Sequence, residues 1–361
     1  TSRLATVPGL GVISRTSAMQ YKDHRPPLRE IGEQLGVAYV LEGTVRWERR
    51  ADGTSRVRVT PQLIRVSDDT HLWADRYDRD LSEIFAVQGD IAAEVARELN
   101  ITLLEPQRDA LRTQLTGNME AYQAYLRGME LWTRPGYDAD RFRLAIEMFE
   151  RAVELDPRFV EAWAELANAH DMLFQGGDAG QEALTVAIQA IETAERLAPD
   201  HPVVHLAKGY HYYLGYLDYD RALVEFARVE EARPDDPTVH EAIGFIRRRQ
   251  GRLDEGIDRL ERAVRLDPQN AHTILMLAGT HAARRQYAVA DSLFERVISL
   301  EPDAPDAYWE RSANLLSWRG SVAEARAVAM RIPGRNSDVR LWADAAYDVL
   351  DRQFAPAAEK F

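Results

Sequence analysis

The apolar side chains of most of this chain are spaced as they are on amphipathic helices. From about residue 119 onward they recur every three or four positions, which places them on one face of an α-helix. Each stretch is interrupted once by a short polar turn, such as Gln250-Gly251-Arg252, and is followed by a proline. Proline lacks an N–H and crowds the preceding turn, so a helix stops before it. The pattern therefore predicts a recurring unit of helix, turn, helix and proline.

The recurring unit has a nearly constant length. Five similar segments end in Pro157, Pro199, Pro234, Pro268 and Pro302. Their spacings are 42, 35, 34 and 34 residues, and the longest one predicts an insertion near residues 175–180. A helical hairpin of this length cannot bury its apolar face alone, so consecutive units are expected to stack. Helices should end close to the five prolines, and no strand should interrupt residues 140–330.

Small and bulky residues recur at fixed places within these units. In the unit that starts at Pro237 they are Ile243, Gly244, Gly256, Leu260, Ala263 and Pro268. In the next unit they are Leu277, Ala278, Ala290, Phe294 and Pro302. The pattern resembles the tetratricopeptide repeat, a helical hairpin of about 34 residues. The resemblance implies an all-α solenoid of about six repeats, near residues 119–157, 158–199, 200–234, 235–268, 269–302 and 303–336, with a partial repeat at 337–361.

The front third of the chain alternates between apolar and polar residues instead. Residues 37–47 predict a half-buried strand with one apolar face, formed by Tyr39, Leu41, Gly43, Val45 and Trp47. We expect that face to pack on an amphipathic helix at 84–99.

Further elements surround this strand. A second strand follows the turn Asp52-Gly53, and a third covers residues 70–77. A short strand near residues 11–14 and a helix near 27–35 precede them. The order β-α-β-β-β-α predicts a small α/β domain, truncated at its start, in front of the helical repeats. The fold class of the whole chain is therefore α + β.

Three runs in this front third resemble a known domain. They are Val12-Ile13-Ser14-Arg15-Thr16-Ser17 and the segments 36–43 and 71–78. They are similar to the TolB amino-terminal-type domain, which precedes tetratricopeptide repeats in bacterial Ser/Thr protein kinases, adenylate cyclases and related membrane-tethered regulators. Family members open with a further strand, so the resemblance implies an unpaired sheet edge that invites a homodimer contact.

The same resemblance suggests a division of the chain and a location. A TolB-like domain is expected at 1–105, a linker at 106–118 and the repeats at 119–361. The expected location is the extracytoplasmic part of a membrane-tethered protein, with the cytoplasm as the alternative.

Charge and composition narrow the range of partners. None of the 361 residues is cysteine, which excludes thiol nucleophiles, thiolate metal sites and disulfides. The net charge is −13, and nearly all of the acidic excess lies after residue 117. An acidic surface repels phosphate backbones and anionic lipids. We therefore expect a protein or peptide partner, no nucleic acid and no membrane insertion, since no apolar run reaches the roughly 18 residues of a transmembrane helix.

The chain carries no recognisable catalytic motif. It lacks a Walker-type phosphate loop, the kinase motifs V-A-I-K, H-R-D and D-F-G, and the hydrolase motifs GxSxG and HExxH. We expect no enzyme activity and no cofactor in this chain. If a parent protein is a kinase or cyclase, its catalytic domain lies elsewhere. His201 and His205 are spaced to ligate a metal, but no third ligand accompanies them, which favours ordinary surface histidines. The pairs Asp68-Asp69 and Asp235-Asp236 are expected to stabilise turns.

The candidate binding residues follow from the tetratricopeptide resemblance, because the first helices of such repeats line a concave face at fixed offsets. These offsets select Tyr122, Tyr125, Met129, Trp132, Asn168, Asp171, Tyr210, Phe245, Arg248, Arg249, Asn314 and Trp318. His211 is the alternative to Tyr210. The four residues at 122–132 have a second interpretation, in which they bury the first repeat against the α/β unit. The run Arg247–Arg249 is either an anion-binding site or a solvated helix end favoured by the helix dipole.

Two function classes remain after these exclusions. The leading interpretation is a non-catalytic interaction or scaffold region of a bacterial signalling protein, with a partner polypeptide in the concave groove. Rigid aromatic side chains suit this role because they give contact area at low entropy cost. The alternative is a small-ligand sensor or dimerisation region that regulates an attached kinase or cyclase domain, and a ligand would need an apolar pocket with convergent polar groups.

Overall fold

In its described residues the computed structural model contains a small antiparallel sheet with three helices, followed by an array of helical hairpins. Contacts between residues divide the chain into two units, Thr1–Val239 and His240–Phe361. The predicted fold class is confirmed. The structure describes residues 4, 7, 10–13, 15–21, 26–49, 55–80, 84–101, 103, 115–133, 138–333 and 337–351. Residues 106–114 of the expected linker fall outside these residues, so the domain boundaries stay predictions.

The sheet is built around one long central strand. Its strands are β1 (Tyr39–Arg49), β2 (Ser55–Arg65), β3 (Thr70–Ala74) and β4 (Tyr77–Asp80). Strand β2 pairs with β1 along one edge and with β3 and then β4 along the other, always antiparallel. Its helices are α1 (Arg15–Met19), α2 (Leu28–Leu35) and α3 (Ile84–Glu98).

Three details of the predicted sheet are wrong. Residues 11–13 are irregular rather than a strand, and Ser14 lies outside the described residues. The predicted third strand is two short strands, β3 and β4. The apolar face of β1 is also not covered throughout, since Tyr39 is 41% exposed and Val45 is 51% exposed.

The position of α3 explains the exposure of β1. Helix α3 contacts β2, β3 and β4, so the central strand takes the burial. Val57 and Leu63 of β2, which are cross-strand partners of Trp47 and Leu41, are almost fully buried. The side chain of Trp47 lies outside the described part of the structure. Strand β1 therefore lies at the rim of the helix-covered face, and the predicted alternation of burial is wrong, since residues 42–46 are all exposed.

The helical part consists of paired helices, of which the first and second of each pair are called first and second helices below. The first helices are α4 (Met119–Trp132), α6 (Val160–Gln175), α8 (Pro202–Tyr210), α10 (Pro237–Arg249), α12 (Ala271–Ala283) and α14 (Pro305–Arg319). The second helices are α5 (Ala139–Leu155), α7 (Gln181–Leu197), α9 (Tyr219–Ala232), α11 (Leu253–Leu266), α13 (Tyr287–Leu300) and α15 (Val322–Ala329). A π-helical turn, His211–Gly215, extends α8, and α16 (Ser337–Leu350) follows the last pair.

The prolines end the helices as predicted. Each of α5, α7, α9, α11 and α13 stops two residues before its proline. Residues 138–333, which are all described, contain no strand. The repeat prediction is confirmed in both respects. No helix among the described residues is long and apolar enough to cross a membrane.

Small residues on the first helices allow the paired helices to approach closely. A Cβ added at Gly128 of α4 would lie 2.5 Å from the ring of Phe149 on α5, and one at Gly209 of α8 would lie 2.4 Å from Phe226 on α9. Both phenylalanine rings are fully buried. An added Cβ would thus lie well below van der Waals distance from the ring. The bulky ring of the second helix therefore occupies the space that a side chain at the glycine would need.

This packing predicts opposite effects for two glycine-to-alanine substitutions. We expect Gly128→Ala to lower the free energy of unfolding by roughly 1 to 3 kcal/mol, because the ring of Phe149 has to move within a filled core. Gly279→Ala is the matched control on α12, since its Cβ would meet only the Arg248 guanidinium at 4.0 Å. It should stabilise the protein by up to about 1 kcal/mol, the usual difference between alanine and glycine within a helix. Urea denaturation measures both changes, and equal effects would contradict the packing argument.

Candidate functional site

The predicted binding residues lie on the first helices, but the structure exposes only part of them. The four side chains Tyr122, Tyr125, Met129 and Trp132 of α4 are half-buried and pack on the apolar core of the first repeats. The ring of Tyr125 lies 4.9 Å from that of Phe159, between centroids. Such contacts make the α4 residues part of the repeat core and leave an edge of each accessible.

Asn168 and Asp171 of α6 are buried, so the prediction that they line an open groove is wrong. Asp171 has no exposed surface and its Oδ1 lies 2.8 Å from Nδ1 of His211. The Asn168 amide donates to Oε2 of Glu165 at 3.2 Å. Helix α6 contacts α5, α7, α8 and the π-helical turn, and this packing closes over both side chains.

The π-helical turn also determines the environments of His211 and Tyr210, the two alternative candidates of the third repeat. Its extra residue per turn directs His211 towards Asp171, where the imidazole is buried. Tyr210 is half-buried, and its ring meets that of Phe226 edge-on at 5.4 Å. Tyr210 therefore contributes to repeat packing and retains partial exposure.

Asn314 and Trp318 of α14 have different environments. Asn314 is buried, and its amide donates to the carbonyl of Tyr287 at 3.1 Å, so its predicted exposure is also corrected. Trp318 is exposed, and the guanidinium of Arg319 lies 4.7 Å from its ring centroid. Of the two, only Trp318 is available to a partner.

Two glutamates of α6 lie near Tyr125 of α4 and near His201, the residue before α8, and we call Tyr125, Glu161, Glu165 and His201 the unit 1 face. Burial raises the pKa of Glu165 to about 7, and the carboxylate of Glu161 adds to the shift, while the hydrogen bond from Asn168 opposes it. Burial lowers the pKa of His201 to about 4, and the positive charge of Arg233 acts in the same direction. At neutral pH the imidazole is thus uncharged, and the face carries no histidine cation.

The two histidines that were considered as metal ligands have structural roles. His201 precedes α8 and its Nδ1 accepts from the Val203 N–H, which caps the helix. His205 is buried with its Nδ1 2.7 Å from Oε2 of Glu225, so the expectation of a surface histidine is wrong for this residue. Within the described residues no group of three or more histidine, aspartate or glutamate side chains is arranged to hold a metal.

The acidic pairs occupy turns as expected. Asp68 accepts from the Thr70 N–H, and Asp69 has a left-handed backbone with φ 56°. Asp236 accepts from the Thr238 N–H at the start of α10. These contacts stabilise the local backbone and explain why Asp is favoured there.

In the second unit an aromatic pair lies beside a cation, and we call Phe245, Arg248, His272 and Met276 the unit 2 face. Phe245 is half-buried, and its ring meets that of His272 on α12 edge-on at 5.7 Å. Nη1 of Arg248 is 3.5 Å from the sulfur of Met276. Among the described residues, no carboxylate lies within ion-pair distance of Arg248.

The other arginines of the run differ from Arg248. Arg247 bonds Gln250 at 2.9 Å and lies 3.5 Å from Glu255, so it ties the end of α10 to the start of α11. Arg249 is exposed. Phe245 and Arg248 thus each contact α12, through His272 and Met276, and their role as an apolar platform beside a cation stays a prediction.

Three ionisable residues at the inward offsets were not selected as binding residues from the sequence. They are Glu161, Glu241 and His272. Glu165 of the unit 1 face was also missed, and it lies at none of these offsets. Burial raises the pKa of Glu241 to about 7, although the hydroxyl of Thr273 donates to this carboxyl group. Their offsets were the signal that could have identified these three residues.

The helical repeats match a known family model. Residues 137–202 and 211–271 match the model described as tetratricopeptide repeat. Together with the paired helices and the small-to-bulky contacts between them, this match supports the assignment of the helical part to the tetratricopeptide type.

Two curated proteins are similar to part of the chain. One is "Putative adenylate cyclase 3" of Rhizobium meliloti (strain 1021), 34% identical over 210 residues, which are 56% of this chain and 35% of that protein. The other is the human protein O-mannosyl-transferase TMTC1, 24% identical over 172 residues, which are 46% of this chain and 18% of that protein. The chain thus spans about a third or less of the length of these relatives.

Among solved structures the human IFIT1 dimer with PPP-AAAA is similar in fold. Its TM-score is 0.50 at 16% sequence identity, and the match covers 75% of this chain and 62% of that chain. At this identity the likeness concerns the fold alone.

The raised pKa of Glu165 predicts a pH-dependent stability. Because this pKa is raised from 4.5 to about 7, the folded protein keeps a proton that the unfolded chain releases, so stability present at low pH is lost as the pH rises towards 7. Glu165→Gln should raise the free energy of unfolding by roughly 1 to 3 kcal/mol at pH 8, and by much less at pH 5. Glu154→Gln, at an exposed position of α5, is the control and should change neither value. A Glu165→Gln effect of the same size at both pH values would contradict the assignment.

Proposed function

We propose that this chain is a non-catalytic interaction region of a signalling protein, and that it binds a partner polypeptide on the first helices of its repeats. The observation that carries the proposal is the unit 2 face. There an aromatic pair remains partly open to solvent beside an arginine with no carboxylate partner among the described residues. Aromatic residues and arginine are the side chains that most often dominate the binding energy of protein interfaces.

The chemistry of the unit 2 face favours an acidic peptide that carries an aromatic residue. Phe245 and His272 offer ring faces and edges, and Arg248 offers hydrogen-bond donors to a carboxylate. The net charge of −13 opposes an acidic partner at long range. Charges separated by more than about 8 Å are largely screened at physiological salt, however, so the nearest cation decides the contact.

We further propose that the region regulates a catalytic domain of the cyclase type elsewhere in its parent protein. The similarity to the Rhizobium protein named as an adenylate cyclase supports this, as does the resemblance of residues 12–17, 36–43 and 71–78 to the TolB amino-terminal-type domain. In this proposal residues 1–105 form that domain and residues 119–361 form the binding repeats.

Charge reversal at Arg248 tests the peptide site. The probe is a fluorescein-labelled synthetic peptide in which two aspartates flank a phenylalanine, titrated by fluorescence anisotropy. At about 0.05 M salt, Arg248→Glu should weaken binding about tenfold or more, because a charge-assisted hydrogen bond is replaced by repulsion. The difference should shrink at about 0.5 M salt, where charges are screened.

A second reversal separates local from long-range charge. Arg265→Glu changes the net charge by the same amount, but Arg265 is an exposed residue of α11, a second helix. Its affinity for the peptide should stay close to that of the unaltered protein. Equal affinity of the unaltered protein and Arg248→Glu, or equal losses for both reversals, would remove the unit 2 face as the site.

A further inference from the structure

Strand β1 presents one edge that no other described strand occupies. Its partner on one side is β2, with eleven paired positions from Tyr39↔Arg65 to Arg49↔Ser55. Within the described sheet no strand pairs with its other side. A long edge strand of this kind offers unpaired N–H and C=O groups to another strand. Val45 and Tyr39, both exposed, add apolar surface along it.

Two opposite charges on β1 have no ionic partner among the described residues of the sheet. Glu42 accepts a hydrogen bond from the amide of Gln62, which is neutral. Arg46 lies opposite Arg58, a like charge, and Arg58 is already paired with Asp78 at 2.8 Å. Like charges directly opposite each other destabilise a strand pair. Arg46 would therefore gain from a carboxylate on its open side, and Glu42 from a cation.

We propose that β1 pairs with β1 of a second copy of this chain, antiparallel and centred on Thr44. The side chains of directly paired residues lie on the same face of a sheet, so paired positions are separated by an even number of residues. The two-fold axis perpendicular to the sheet must therefore lie between the two copies of one residue, which pairs with itself. With the axis at Thr44, Glu42 lies opposite Arg46 of the second copy, and Arg46 lies opposite its Glu42. The strand is self-complementary in this register and forms two equivalent ion pairs.

Neighbouring registers do not satisfy the same charges. An axis at Val45 places Glu42 opposite Glu48, which is a like-charge pair. An axis at Gly43 places Glu42 opposite Thr44 and leaves Arg46 opposite Val40. Centring on Thr44 also sets the exposed Val45 across from Gly43, which has no side chain of its own to cover the backbone there. Charge and shape thus select the same register, and this homodimer is independent of the peptide site proposed above.

A single cysteine tests the register in the full chain, which has none of its own. In Thr44→Cys the two introduced residues face each other with Cα atoms about 4.5 to 5.5 Å apart, a separation that suits a disulfide. Mild oxidation with copper phenanthroline should give a covalent dimer on non-reducing gels. Glu48→Cys is the control, because its two copies would lie roughly 27 Å apart along the strands. A monomeric Thr44→Cys product, or equal dimer yields from both variants, would overturn the proposal.

Exchange of the two charges tests the ion pairs without a crosslink. Sedimentation equilibrium of the full chain should give a dimer whose dissociation constant rises about tenfold or more in Glu42→Arg and in Arg46→Glu. The double variant Glu42→Arg/Arg46→Glu restores opposite charges across the axis, so its dissociation constant should return to within about threefold of the original. Circular dichroism checks that each variant is folded. A monomer at all concentrations, or a double variant as weak as the single ones, would rule out this pairing.

Discussion

The close approach of each first helix to its second helix determines how the rest of the repeat region is used. Gly128 and Gly209 bring two helix backbones together because the rings of Phe149 and Phe226 occupy the space that a side chain would need. This contact buries the side of the first helix that faces its own second helix. The rest of the first helix remains for the neighbouring repeat and for solvent, and the side chains of Phe245 and Arg248 contact His272 and Met276 of the next first helix there. The candidate surface is thus a consequence of the packing.

The same packing places ionisable groups where water is scarce. His211 with Asp171 and His205 with Glu225 form pairs inside the first unit, at 2.8 and 2.7 Å. A buried carboxylate without such a partner is costly, and pairing or protonation reduces that cost. Glu165 has only an amide donor, from Asn168, and its pKa rises to about 7. The pairs therefore act on structure, whereas Glu165 keeps a titratable charge near neutral pH.

The sequence was sufficient wherever a single residue type dictates local geometry. Proline ends a helix whatever surrounds it, so the ends of α5, α7, α9, α11 and α13 were predictable. Asp171 was misplaced because it pairs with His211 in the π-helical turn of the next repeat, an irregularity with no periodic signal. Val45 was also misplaced. The alternation of residues in β1 predicts the face of the sheet on which Val45 lies, but it does not predict that α3 covers β2, β3 and β4 instead.

The unit 1 and unit 2 faces differ in charge, so pH would affect the binding of a partner to the unit 1 face. On the unit 1 face the imidazole of His201 is neutral at pH 7, whereas Glu165 is poised between its two charge states. A cationic side chain placed beside Glu165 would favour the ionised carboxylate and lower its pKa. Binding of such a group would then release a proton, so its affinity would rise with pH through the neutral range. The unit 2 face has the guanidinium of Arg248 instead and would take the opposite kind of group.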